Sequence, residues 1–137
     1  MIKKLLTCLC IITLSYSCSD DKKEGPATSL DTGREFIRAS LNGDFPTAEK
    51  LILKDTQNMQ LFDSYKAYYD RLPADKKNNY RQANYIINKY VDVDSITTII
   101  NYSNDYMKKP MDIKVVRNEN EWKVDFKYTY SGNLLID

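Results

Sequence analysis

Apolar residues recur at intervals of three and four between residues 32 and 73, which predicts amphipathic helices in that region. The first predicted helix opens with the capping-box spacing of TGRE at Thr32 and stops at Gly43. A second short helix is predicted after Asp44, a third runs up to Pro73, and the polar segment ADKKNNYRQA predicts one or two further turns. The predicted core-facing positions are Phe36, Ile37, Leu41, Phe45, Ala48, Leu51, Ile52, Met59, Phe62, Tyr65, Tyr69 and Leu72.

From residue 84 onward the period changes to two, and four segments rich in Ile, Val and Tyr predict strands: NYIINKYVDVD, SITTIINYS, MDIKVVRN and EWKVDFKYTY. The first of these segments carries apolar residues on both faces. The last segment predicts a single long strand with one solvent-exposed face, on which Asp125 would lie. Its alternating apolar positions are Trp122, Val124, Phe126, Tyr128 and Tyr130. The pattern as a whole predicts an α+β fold, with helices first and a four-stranded antiparallel meander after them.

The first residues of the chain have the three parts of a secretory signal. Lys3 and Lys4 precede an apolar run at residues 5–14, and small residues surround a cleavage point before Cys18. An apolar run of about ten residues is half of what a helix needs to span a bilayer. The pattern therefore favours a cleaved signal over a permanent membrane helix.

The sequence LSYSC, with Ser17 and Cys18, resembles the lipobox of bacterial lipoproteins, and the following CSDDKKE is similar to the acidic tract of surface-exported lipoproteins of the Bacteroidota. This resemblance implies a signal peptide at residues 1–17 and an acylated Cys18 anchored to the outer membrane. It does not decide whether the domain lies on the periplasmic side or on the cell surface. Residues 18–30 would form a flexible tether reaching about 20 Å. One domain would follow at residues 31–137. The alternative is a secreted protein with a free cysteine.

Composition excludes several classes of function. Removal of residues 1–17 would leave 18 basic and 19 acidic side chains, and this balance argues against a nucleic-acid partner. The chain has no histidine, and its remaining cysteines, Cys8 and Cys10, lie in the signal segment. We therefore predict no metal site, no cofactor and no Ser-His or Cys-His catalytic pair.

The segments EFIRASLNGDFPTAEKLI and EWKVDFKY resemble the opening helix pair and the final strand of small uncharacterised lipoprotein domains of the nuclear-transport-factor-2-like superfamily. The resemblance covers about residues 30–130 and implies a cone in which a curved antiparallel sheet wraps the helices. Some members of that superfamily hold, isomerise or dehydrate a small molecule at the open end. Others dimerise or grip a protein through the sheet face.

Carboxylates, tyrosines and lysines are the titratable side chains that remain for a catalytic or binding site. An isomerase would need a carboxylate base beside a tyrosine, for which Asp63 with Tyr65, or Asp125 with Tyr128 and Tyr130, supply the residue types. Tyrosines also suit a binding groove, since each has an apolar face and a hydroxyl, although they equally serve a small core. The candidate ligand-binding residues are Tyr65, Tyr69, Tyr102, Trp122 and Tyr128.

We therefore predict a lipid-anchored, non-enzymatic envelope protein that binds a small ligand or a partner protein. The membrane would be contacted through the acyl chains on Cys18, and two copies would be able to pair through the sheet face. The alternatives are an isomerase- or dehydratase-like enzyme with the same fold, and a purely structural module of the envelope.

Overall fold

The computed structural model describes residues 25–133. The predicted signal peptide, Cys18 and the first part of the tether lie outside the described residues. The helices are α1 (Ser29–Asn42), α2 (Phe45–Lys50), α3 (Thr56–Asp70), α4 (Ala74–Gln82) and α5 (Phe126–Asn133). The strands are β1 (Tyr85–Asp94), β2 (Thr97–Asn104), β3 (Met111–Asn118) and β4 (Glu121–Val124). Four helices thus precede an antiparallel sheet of order β1-β2-β3-β4, which confirms the predicted α+β class.

Helix α1 begins earlier than predicted. Its N-cap is Thr28, whose hydroxyl oxygen accepts a hydrogen bond from the Asp31 N–H at 3.1 Å. The capping box predicted at Thr32 is wrong, because Thr32 is a buried residue of the first turns and its hydroxyl donates to the Thr28 carbonyl. The helix consequently includes the last two residues assigned to the tether.

The predicted stop of α1 at Gly43 is confirmed. Gly43 adopts a left-handed conformation with φ 70°, and its N–H donates to the Ser40 carbonyl. A side chain there would be strained, and its Cβ would lie 2.7 Å from the Tyr69 hydroxyl oxygen. Glycine therefore both ends α1 and lets α3 approach closely.

The sheet presents one buried face to the helices. Along β2 the residues alternate between buried and half-buried, and α1 packs on the buried side. Gly33 of α1 lies so close that a Cβ on it would overlap the Ile100 side chain and lie 3.2 Å from Ile113 Cδ1. The buried sheet positions facing the helices include Thr98, Ile100, Tyr102, Met111, Ile113, Val115 and Val124.

Aromatic rings fill the space between the helices and the sheet. Phe62 of α3 is fully buried and meets Phe126 of α5 edge to face, with ring centroids 5.3 Å apart. Phe36 of α1 contacts the same Phe126 ring at 6.1 Å, and Tyr65 contacts it at 5.7 Å. The rings therefore join α1, α3 and α5 into one core.

The prediction of one long last strand is wrong. Strand β4 ends at Val124, and the chain turns at Asp125 into helix α5. The Asp125 N–H still donates to the Lys114 carbonyl at 2.9 Å, so α5 starts directly beside β3. The Lys127 N–H, in the first turn, donates to the Asn58 Oδ1 atom at 2.7 Å. The first N–H groups of a helix have no partner within it, and Asn58 of α3 accepts one of them. This contact favours a helix over a strand for the residues that follow Asp125.

Candidate binding surfaces

Three of the five predicted binding residues lie in one tyrosine cluster between α3, α4 and the sheet. Tyr69 is buried, and its ring lies 6.5 Å from that of Tyr80. Tyr80 in turn meets Tyr106 edge to face at 4.9 Å. Tyr65 and Tyr102 complete the cluster, since each hydroxyl is close enough to Tyr80 to be influenced by it electrostatically.

The tyrosine cluster is dry at its centre. Burial raises the pKa of both Tyr65 and Tyr102 far above the ordinary tyrosine value, and neighbouring tyrosines add to the rise. The Tyr65 residue retains partial exposure, but its hydroxyl is surrounded by protein atoms. The Tyr102 hydroxyl lies 3.8 Å from the Met111 sulfur, and the Tyr80 hydroxyl lies 3.2 Å from the Met107 sulfur. The Tyr65 and Tyr102 hydroxyls therefore stay neutral and remain hydrogen-bond donors.

These pKa shifts predict a loss of stability in alkali. Stability from a raised folded-state pKa is complete below the unfolded value of about 10 and is lost as the pH rises above it. We expect the free energy of unfolding to fall above about pH 10, and the Tyr102→Phe variant to lose less of it than the wild type. Denaturation at several pH values tests this, with Tyr90→Phe on exposed β1 as the control. An identical alkaline slope for wild type and Tyr102→Phe would contradict it.

The other two predicted binding residues lie elsewhere. Trp122 is on β4, and the Arg117 guanidinium lies 5.8 Å from its ring. Arg117 pairs with Trp122 at one end of β3, whereas Tyr102 pairs with Met111 at the other end, which is roughly 20 Å away at the usual rise per residue. Tyr128 is 39% exposed on α5. The structure therefore groups Tyr65, Tyr69 and Tyr102 but separates them from Trp122.

The two carboxylates considered for catalysis are both bound to lysines. Asp63 is exposed and forms a 2.8 Å ion pair with Lys66. Asp125, predicted on a wet face, is in fact only 6% exposed and pairs with Lys114 at 3.5 Å and with Lys127 at 3.4 Å. Asn58 of α3 also donates to this carboxylate at 3.2 Å, so it belongs to a network that joins α3, β3 and α5.

A shallow depression of about 400 Å³ lies beside α2. Glu49 within it pairs with Lys66 at 3.1 Å and with Lys54 at 3.7 Å. Sequence reasoning missed this depression, since its lysines come from α2, from the connection after it and from α3. The residues that line it are Phe45, Pro46, Glu49, Lys50, Lys54 and Lys66. Two of its three lysines, Lys54 and Lys66, are thus already paired with a carboxylate, so the depression offers little free positive charge to a ligand.

Among the described residues, the largest set of exposed apolar side chains lies on and beside β1. We call this set the β1 surface, and its members are Ile86, Tyr90, Val91, Val93 and Ile96. Ile86 is 64% exposed and Val93 is 60% exposed, which is unusual for such residues in a strand. Within the described part of the chain β1 pairs with β2 alone, so its other edge is open. Ten residues of strand are thus available to a partner.

No protein-family model, characterised protein or solved structure matches this chain. The fold and its surfaces are therefore the basis for inferring a function. Among the described residues, no helix has the length and apolarity needed to cross a membrane. Residues 25–133 also contain no group of three or more His, Cys, Asp or Glu side chains arranged to hold a metal ion.

The sequence indicated part of the β1 surface. It showed apolar residues on both faces of the first strand, but it did not show that this strand is at the edge of the sheet. The register is irregular between Ile87 and Lys89 and again between Asp92 and Asp94. Between these two irregularities, residues 89–92 pair regularly with β2. This regular stretch is the best template for adding a further strand.

Proposed function

We propose that this protein is a lipid-anchored envelope protein whose α+β domain binds another protein through the β1 surface and carries out no catalysis. One observation supports this most strongly: five exposed apolar side chains lie on or next to an edge strand of ten residues. An open edge offers a row of backbone donors and acceptors to an added strand. Apolar side chains on that edge add burial when a partner covers them.

The shape of the β1 surface favours a protein partner over a small ligand. Small molecules bind in concave sites that bury most of their surface. An edge strand is instead extended and open along its length, and strand addition uses main-chain hydrogen bonds together with alternate side chains. Lys89 and Asp94 on the same strand would set the register of the added strand by their charge.

The lipid anchor is supported by the sequence around Cys18. A signal-like segment, a lipobox-like LSYSC and an acidic tract follow one another there. We further propose that the domain belongs to the nuclear-transport-factor-2-like superfamily, with which helices followed by a four-stranded antiparallel sheet are compatible. The isomerase-like alternative has no specific support, since Asp63 and Asp125 both form ion pairs with lysines.

Site-specific photo-crosslinking in intact cells tests the proposed binding surface. A photo-reactive residue in place of Ile86 or Val93 in the full chain is expected to give one defined adduct on a denaturing gel. The matched control is the same residue in place of Tyr128, which is exposed on α5. The absence of adducts from both β1 positions, or the same adduct from Tyr128, would contradict the proposal.

A further inference from the structure

We infer that the partner at the β1 surface is a second copy of this chain, paired edge to edge and antiparallel about a two-fold axis at Val91. This inference rests on the proposed function, since it names the protein that the β1 surface binds. The result would be one continuous sheet of eight strands across two copies, which differs from the face-to-face pairing that the sequence suggested.

The pairing of β1 with β2 determines which β1 side chains share a face. Lys89 lies opposite Asn101, Val91 opposite Ile99, and Asp94 opposite Thr97. These three β2 residues are the half-buried ones, on the face away from the helices. Lys89, Val91 and Asp94 therefore share the outer face. Val93 is the extra residue at the irregularity, so Asp94 takes the position two steps beyond Val91.

This spacing makes the strand complementary to itself. In a two-fold antiparallel pair, a residue on the axis faces its own copy, and residues equally far from the axis face each other. With the axis at Val91, Lys89 of each copy lies opposite Asp94 of the other. The valines meet at the centre, and two opposite-charge pairs flank them. Opposite charges directly across strands are stabilising.

The charged groups are available for this pairing. Within the described residues, the Lys89 ammonium has no hydrogen bond or ion pair. The Asp94 carboxylate accepts one bond, through Oδ1 from the Ile96 N–H at 2.9 Å, which leaves Oδ2 open to a lysine. On the inner face the same axis places each Tyr90 opposite Asp92 of the other copy, a match between a hydroxyl donor and a carboxylate. An axis at Tyr90 would instead put Lys89 opposite Val91 and match no charges.

Disulfide trapping tests the position of the axis. In the full chain with Val91→Cys, the Cβ atoms of the two introduced cysteines would lie about 4.5–5.5 Å apart across the axis. A small adjustment would bring them to disulfide geometry. The remaining cysteines are at positions 8, 10 and 18, outside the described residues. We expect mainly covalent dimer on a non-reducing gel of the oxidising envelope fraction. Tyr128→Cys, the exposed control, is expected to stay monomeric, and Tyr90→Cys to be trapped poorly.

A charge exchange tests the same register independently of the disulfide position. Adding Lys89→Glu to Val91→Cys places two carboxylates opposite each other, so the dimer yield should fall several-fold. Adding Asp94→Lys as well reverses both charges within each pair and should restore the yield. Restoration also shows that the charge variants still fold. Equal yields in all three proteins would overturn the inference, as would better trapping at Tyr90→Cys than at Val91→Cys.

Dimer formation by Val91→Cys and the photo-adduct from Val93 together separate self-pairing from the binding of another protein. If Val91→Cys gives no dimer while the photo-reactive residue at Val93 gives an adduct of another mass, self-pairing is overturned and the β1 surface still binds a protein. If neither position gives any product, both proposals are overturned.

Discussion

Replacing Asn58 by alanine is expected to lower the free energy of unfolding by about 2–4 kcal/mol, because a fully buried amide connects two distant parts of the chain. Its Nδ2 donates to Asp55 at 2.8 Å and to Asp125 at 3.2 Å. Its Oδ1 accepts the Lys127 N–H at 2.7 Å. Alanine would leave the buried Asp125 carboxylate with fewer partners and would remove the acceptor at the start of α5.

Urea denaturation of the two proteins measures this difference. The matched control is Asn78→Ala on the exposed α4, where the amide oxygen accepts only a long 3.5 Å bond from Gln82. We expect that control to change stability by less than about 0.5 kcal/mol. A loss below about 1 kcal/mol in Asn58→Ala would mean that the network contributes little to holding α5.

Replacing Cys18 by alanine is expected to release the protein from the membrane almost completely. A single acyl chain holds a protein only marginally, whereas two or more chains give a durable anchor. If Cys18 carries all of these chains, as proposed, its loss removes the whole attachment. Cell fractionation measures the effect, with Cys8→Ala in the predicted signal segment as the matched control. If Cys18→Ala still sediments with membranes, the lipoprotein assignment is wrong.

The elements that local sequence determines were predicted well. Asp44 caps α2 as expected, since its carboxylate accepts the Thr47 N–H at 3.2 Å. Strand β3 covers the same residues as the segment MDIKVVRN, and Gly43 ends α1. For the two helix ends the decisive contact lies within a few residues along the chain, and for β3 the alternation of buried and half-buried side chains is itself local, so the sequence pattern carries both.

The last segment was mispredicted because its conformation depends on residues far away in sequence. The alternation in EWKVDFKYTY fits a strand, yet Phe126 packs against Phe62 and Lys127 binds Asn58, almost seventy residues earlier. A buried carboxylate at Asp125 is tolerated because Lys114 and Lys127 lie beside it. No local pattern contains these partners.

The binding surfaces were predicted only in part for a similar reason. Helical spacing placed Tyr65 and Tyr69 on one face, but the order of the strands decides that Tyr102 joins them and Trp122 does not. The positions of the apolar residues likewise showed that the first strand is apolar on both faces. Its exposure follows from its place at the edge of the sheet, which is a property of the whole fold.

Binding through the β1 surface is measured by the yield of photo-crosslinked adduct from Val93 in intact cells, with and without Val91→Lys on the same strand. We expect a defined adduct from the native strand and a several-fold lower yield with the added lysine, because a charge at the centre of the β1 surface would have to be buried by the partner. An adduct whose yield does not change, or no adduct at all, would contradict the claim that this protein binds through the β1 surface.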